Sequence, residues 1–250
     1  MVRYGMAVDL DRCTGCTACV LACKMENNTP EGASWMWVFQ HESERFPDVK
    51  IDALPRPCMH CGEPPCTYVC PVGARFSHED GFVLTDYERC IGCRYCEVAC
   101  PYGVNFFNWK RPEESAYFDF GKEASQLYGT GSVSEATGTD GLPNRNPDHA
   151  KKYDGRLVAG GGQFVGVMEK CTFCIHRVKK GLQPSCVQNC PCVALIFGDL
   201  DDPESDVSRA LSRKKAWRLL EELGTEPKVF YLGGRPPGHD VRMLNTGKRV

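Results

Sequence analysis

Long apolar runs are missing from this chain: no stretch approaches the roughly eighteen consecutive apolar residues of a membrane helix, so no direct membrane span is expected. An excess of charge of one sign is missing too. The 30 Lys and Arg nearly balance the 32 Asp and Glu, which leaves no field to attract nucleic acid or another polyanion. Residues 1–10 lack a basic stretch followed by an apolar core, and no twin-arginine pair occurs, so a cleavable export signal of ordinary design is not expected. Phosphate-binding and dinucleotide glycine loops, G-x-S-x-G and H-E-x-x-H are all absent. So is the radical-enzyme spacing C-x₃-C-x₂-C. Together these absences leave no sign of a catalytic site of the chain's own.

What the chain has is cysteine. Seventeen occur in 250 residues, an odd number, bunched at gaps too short for an ordinary disulfide framework. The stretch Cys90-Ile-Gly-Cys93-Arg-Tyr-Cys96-Glu-Val-Ala-Cys100-Pro101 reads C-x₂-C-x₂-C-x₃-C-P, the ligand run of bacterial 4Fe–4S ferredoxins. Its first three thiolates can take three corners of one cube, while the fourth, about a helical turn on, points toward another cluster. Pro101 needs no backbone donor in the turn that follows. A structural zinc ribbon would instead show two separated C-x₂-C pairs.

The unit recurs three more times. Group one is Cys13, Cys16, Cys19 and Cys23, with Lys24 in place of the proline. Group two is Cys58, Cys61, Cys66 and Cys70, followed by Pro71, with a longer middle gap. Group three is the run already quoted. Group four is Cys171, Cys174, Cys186 and Cys190, followed by Pro191, its middle gap grown to residues 175–185. Such internal repetition governs any reading of the fold.

Four groups of four soft thiolates suffice for four 4Fe–4S clusters. In the two-cluster pattern the fourth cysteine of one run closes the other run's cluster. Groups two and three then give one cluster on Cys58, Cys61, Cys66 and Cys100, and another on Cys90, Cys93, Cys96 and Cys70. The outer groups give one on Cys13, Cys16, Cys19 and Cys190, and another on Cys171, Cys174, Cys186 and Cys23.

The expected fold class is α+β, with two nested bacterial-type double-cluster ferredoxin units, long loop insertions, and a C-terminal helix and tail. Residues 1–55 plus 164–200 make the outer unit and 56–111 the inner one. Residues 112–163 are a partner-docking insertion, and 201–250 supply the helix, a strand and a docking tail. Strands are expected at 4–10, 36–40, 194–197 and 228–232, with a hairpin of 74–77 and 82–85 turning at Gly81. A helix is expected with Asp202 as cap and Pro203 as first residue, its apolar face running from Val207 to Leu223 before Gly224 stops it.

Lys24, Arg89, Arg94, Lys170, Arg177, Lys179 and Lys180 lie beside the ligands in sequence. Positive charge near a cluster favours its reduced form; the bland alternative for each is solvated surface charge. His60 and His176 are candidate hydrogen-bond donors to the clusters rather than ligands. Cys192, the seventeenth cysteine, reads as a small buried apolar residue.

The four groups in this order, with the long gap inside the fourth, resemble the iron–sulfur subunits of the complex iron–sulfur molybdoenzymes of the DMSO reductase family. The segments MAVDLDRCTGCTACVLACKMEN, EKCTFCIHRVKKGLQPSCVQNCP and FGDLDDPES carry the resemblance. Within the family the chain looks most like the subunits of polysulfide or thiosulfate reductases and of respiratory arsenate reductases. The resemblance implies an electron relay in anaerobic respiration, between a molybdopterin catalytic subunit holding molybdenum or tungsten and an integral-membrane, quinone-interacting subunit. The substrate implied for the complex is a sulfur or arsenic oxyanion or polysulfide. Membrane association would then come through partners, on the periplasmic face by co-export with the catalytic subunit or on the cytoplasmic face. The Gly/Ser-rich insertion is longer than in the simplest members. A freestanding polyferredoxin and a structural zinc protein are the competing readings.

Complete ligand sets predict about sixteen iron atoms and as many acid-labile sulfides per chain. Metal analysis finding zinc instead, with no brown absorbance, would exclude electron transfer.

Overall fold

The fold is assembled on its first strand, β1 (Tyr4–Asp9). Met6, Ala7 and Val8 are all fully buried, so this strand is covered on both faces, as central strands are. Alternation along it separates two environments. Ala7 faces a small cluster with Val207 and Leu232. Met6 and Val8 face the main core, which includes Cys19, Cys23, Cys58, Cys61, Cys171 and Cys186. The computed structural model describes residues 2–29, 32–43, 46–48, 50–109, 152–158 and 164–234. Most of the expected docking insertion (112–151 and 159–163), and the tail from 235 onward, lie outside the described residues.

Helix α1 (Ala18–Asn27) follows the first cysteine loop and ends at Asn28, whose left-handed backbone donates its N–H to the Lys24 carbonyl, a role asparagine tolerates. Next comes an antiparallel ribbon of β2 (Trp37–Ser43) and β3 (Lys50–Arg56). The second cysteine group runs through the short helix α2 (Pro65–Tyr68). It leads into the hairpin of β4 (Arg75–Ser77) and β5 (Val83–Thr85), with Gly81 at φ 84°. Group three carries α3 (Tyr95–Ala99). Three short strands follow, β6 (Phe106–Phe107), β7 (Lys152–Tyr153) and β8 (Arg156–Leu157). Strand β9 (Met168–Glu169) pairs with β6 and delivers the chain to group four, which holds α4 (Ile175–Val178) and α5 (Ser185–Gln188). The chain closes with β10 (Leu195–Asp199), α6 (Asp206–Arg213), β11 (Ala216–Trp217), a 3₁₀ turn at Glu221–Leu223 and β12 (Val229–Leu232).

The main sheet has the order β10-β1-β12-β11. β1 pairs antiparallel with β10, Met6 opposite Phe197, and parallel with β12, Ala7 opposite Phe230. The strand before group one is therefore the direct neighbour of the strand after group four. Two helix contacts repeat the association: α1 packs on α5, and α2 packs on α3. Helix α6 covers the face of β1 and β10 away from the cysteines.

The C-terminal helix is shorter than the sequence suggests, and its cap differs. Ser205, not Asp202, occupies the cap, its hydroxyl accepting from the Ser208 amide at 3.2 Å and donating to the Asp199 carbonyl at 2.5 Å. Asp202 instead closes a local turn through the Glu204 amide at 2.9 Å. The helix stops at Arg213 because Lys214 is extended, at φ −129° and ψ 147°, its ammonium held 2.9 Å from both Asp9 and Asp11. Trp217 then joins the sheet opposite Tyr231 rather than continuing an apolar helix face.

Loss of the Ser205 hydroxyl removes the cap. Ser205→Ala is expected to destabilise the folded protein by about 1 kcal/mol, read as a lowered urea midpoint with an unchanged slope.

Candidate metal centres

Three cavities are ringed by cysteines drawn from two groups each. One is lined by Cys13, Cys16, Cys19 and Cys190, together with Cys192. A second is lined by Cys58, Cys61, Cys66 and Cys100. The third is lined by Cys90, Cys93, Cys96 and Cys70. The remaining four ligand candidates also meet. Burial, then Cys171 and Cys174, push the Cys23 thiol well up, and burial, then Cys174, Cys23 and Cys171, do the same to Cys186. The Asn27 amide lies 3.6 Å from Cys23 Sγ and 3.8 Å from Cys174 Sγ.

The loops that build these rings share one backbone feature. The residue just before the second cysteine is left-handed in every group: Gly15 at φ 68°, His60 at 43°, Gly92 at 68° and Phe173 at 52°. That conformation lets the chain double back so that successive sulfurs face one volume. Glycine adopts it freely, and at Gly92 a Cβ would also meet the Gly166 carbonyl oxygen at 2.1 Å. His60 and Phe173 hold it under strain, and the two rings stack on one another at 3.8 Å and 20°.

Backbone amides point at the sulfurs. The amides of Arg75, Met168 and Phe173 lie 3.4 Å from Cys70, Cys90 and Cys171, and that of Ala194 lies 3.3 Å from Cys190. The side chains of Asn27 and Arg75 do the same, Arg75 Nη2 lying 3.3 Å from Cys96 Sγ. Neither was singled out from the sequence. Asn27 follows Cys23 by one helical turn, which places it on the same face, so that signal was available. Arg75 is an arginine buried inside a hairpin strand, and only the three-dimensional contact reveals its partner.

Each of the two histidines has one ring nitrogen bonded within the protein. His60 Nδ1 accepts from the Val83 amide at 3.0 Å, and burial, then Lys170 and Lys228, keep it well below the usual imidazole value. His176 pairs with Glu26 at 2.7 Å. The second ring nitrogen of each, His60 Nε2 and His176 Nδ1, is buried without a partner among the described residues. Cys192 is not buried as expected: it is part-exposed, 3.4 Å from Thr14 Oγ1, at the rim of the first cavity. Several of the flagged cations are matched locally, Arg94 by Glu97 at 2.9 Å, Arg177 by Glu26 at 3.0 Å and Lys179 by Asp80 at 2.5 Å. Lys170 is the buried exception.

Thiols this deep resist ionisation on their own. Burial and neighbouring cysteines push Cys19, Cys61 and Cys171 up to about 12. Coordination by a cationic centre is what deprotonates such thiols outright. Among the described residues no three Cys, His, Asp or Glu converge on one point as ligands of a single ion do. Soft donors ringing cavities, amides aimed at the sulfurs and a buried guanidinium with Nε and Nη1 unpartnered fit an anionic multinuclear cluster.

Comparison with known proteins agrees. A 4Fe-4S dicluster domain family matches residues 49–116 and 162–200, and a second matches 12–74. The chain is 42% identical over 236 residues to the arsenate respiratory reductase iron–sulfur subunit of Shewanella sp. (strain ANA-3), covering 92% of this chain and 96% of that one. The chain belongs to the iron–sulfur subunits of the molybdoenzyme reductases. It is 40% identical over 237 residues to a selenate reductase subunit of Mesobacillus selenatarsenatis, covering 92% and 72%. It is 36% identical over 264 residues to the menaquinone reductase iron–sulfur cluster-binding subunit of Nitratidesulfovibrio vulgaris, covering 94% and 90%. Members of this family transfer electrons within reductase complexes that have catalytic and quinone-linked partners, and are not themselves the catalytic subunits. The cofactors are 4Fe–4S clusters.

Gly92→Ala is expected to lose iron from the group-three cavity, because the added methyl meets the Gly166 carbonyl. Gly103→Ala, also left-handed at φ 60° but with open space around it, should keep full iron content. Equal iron in the two variants would contradict the steric assignment.

Proposed function

We propose that the chain holds four 4Fe–4S clusters in a row and relays electrons along it. The ligand sets are Cys90, Cys93, Cys96 and Cys70; Cys58, Cys61, Cys66 and Cys100; Cys171, Cys174, Cys186 and Cys23; and Cys13, Cys16, Cys19 and Cys190. The observation that carries this reading is the lining of each cavity by three cysteines of one group and the fourth of another. The same exchange and the β1–β10 and α1–α5 contacts support two nested ferredoxin units, 1–55 with 164–200 and 56–111.

When bound, each cluster gains or loses one electron with no bond made or broken. The protein's part is order and insulation. Arg75 lies against Cys96 of one set and bears on Cys66 and Cys58 of the next. Cys58 bears in turn on Cys171. Helix α1 supplies Cys19 to one set and Cys23 to its neighbour, one turn away. The interior ligands are buried apart from the part-exposed Cys100, whereas Cys93 at one end and Cys16 at the other are exposed. Electrons would enter and leave at those ends, where Ile91, Tyr95 and Val98 on one side and Leu21 and Val193 on the other leave apolar side chains uncovered.

The partners in this reading are a molybdopterin catalytic subunit and an integral-membrane, quinone-interacting subunit, with an oxyanion of arsenic, selenium or sulfur as the substrate of the complex. The names of the relatives support that class of substrate. No described helix is long and apolar enough to cross a membrane, so attachment to the membrane would come through the partner.

Cys23→Ser separates the exchanged set from a simple one. The cluster of Cys171, Cys174 and Cys186 should be lost or altered in the EPR spectrum, and that of Cys13, Cys16 and Cys19 retained. The opposite loss would refute the exchange.

A further inference from the structure

The cavity of Cys58, Cys61, Cys66 and Cys100 is surrounded by buried positive charge. Lys170 lines it and is only 1% exposed. Its ammonium donates to the Val83 carbonyl and, at 2.9 Å, to the Cys171 carbonyl. Arg75, 3% exposed, lines the neighbouring group-three cavity and bears on Cys66 and Cys58 of this one, with Nε and Nη1 unpartnered. Arg56 is buried nearby, its guanidinium 4.1 Å over the Phe39 ring. Lys228 is half-buried and donates to the Gly81 carbonyl at 2.7 Å. None of these four cations meets a carboxylate among the described residues. The buried carboxylate nearest in sequence, Glu169, accepts from Asn108 at 3.3 Å instead.

The group-one and group-four side of the row is arranged differently. There Arg177 and His176 share Glu26, at 3.0 and 2.7 Å, and Lys214 is held by Asp9 and Asp11 at 2.9 Å. Asn27, the side chain that reaches sulfur there, is neutral. A buried cation without an anion is costly, so the partner for Lys170 and Arg75 must be the charge of the bound cluster.

We propose that Lys170 and Arg75 are potential-setting residues, making the cluster of Cys58, Cys61, Cys66 and Cys100 the most readily reduced of the four. This rests on the four-cluster reading. Reduction adds one electron, and hence one negative charge, to that cluster, with no bond changed. Fixed positive charge in a low-dielectric wall favours that form over the oxidised one. An electron in transit would therefore rest on an interior member of the row, shielded from water and oxidants, until a terminal acceptor is ready.

The test is a dithionite titration of the purified cluster-loaded protein followed by EPR, after iron analysis. The signal of this cluster is assigned by its loss in Cys66→Ser. It is expected to appear first in the wild type. In Lys170→Met its midpoint should fall while that of the Cys13, Cys16, Cys19 and Cys190 cluster stays, and Lys170→Arg should restore most of the shift. If Lys170→Met loses iron, Lys170→Gln keeps amide donors for the Val83 and Cys171 carbonyls and must show the same fall. Full iron with an unshifted midpoint, or an equal fall in every cluster, overturns the assignment. Iron for fewer than four clusters in the wild type would instead refute the relay reading beneath it.

Discussion

Everything in this structure depends on one backbone requirement: each cysteine loop must turn left-handed immediately before its second ligand. Without that turn, three sulfurs so close in sequence cannot face one volume. The ligand runs of groups one and three meet it with glycine. Groups two and four meet it with His60 and Phe173, residues for which such backbone costs about 1–3 kcal/mol each. Their rings stack on each other at 3.8 Å and are walled by Phe82 and Phe197, so packing offsets the strain. The contact that relieves both loops also brings their two cavities together. Local geometry and the spacing of the relay thus have a common origin in the middle of the chain.

Much of this was legible in the sequence, because ligand spacing is a direct imprint of cluster shape. The β4–β5 hairpin was legible for a similar reason, its turn glycine being bounded by apolar runs. The C-terminal helix was misread because Asp202-Pro203 is a good cap pair locally, yet Ser205 can bond Asp199 and Ser208 at once. A preference of about 1 kcal/mol is easily overridden by such tertiary choices. Arg75 could not have been assigned from sequence. Its role exists only because a hairpin strand passes between two cavities whose cysteines lie on either side of it in the chain. Cys192 was misread for the converse reason: a cysteine one residue past Pro191 looks like core until the loop is seen to end at a rim.

Burial and charge vary along the proposed row in a way that composition conceals. The near-equal totals of acids and bases suggest an even distribution. Instead, ion pairs such as Arg177–Glu26 and Lys214–Asp9 dress the side of groups one and four, while cations with no carboxylate partner among the described residues gather around group two. Exposure runs the other way, with the ends of the proposed row open at Cys16 and Cys93 and its interior ligands buried apart from Cys100. A relay needs both features, because terminal centres must be approachable by partners and interior ones must exchange electrons with their neighbours alone.

The central claim is that four clusters are held in a row by exchange of the fourth cysteine between groups. Anomalous diffraction at the iron absorption edge, from crystals of the cluster-loaded protein, tests it most directly. The account predicts four iron-rich sites in one line, with Cys23 bonded to the site of Cys171, Cys174 and Cys186, and Cys190 to that of Cys13, Cys16 and Cys19. Fewer than four sites, or four in which every group closes its own cluster, would contradict it.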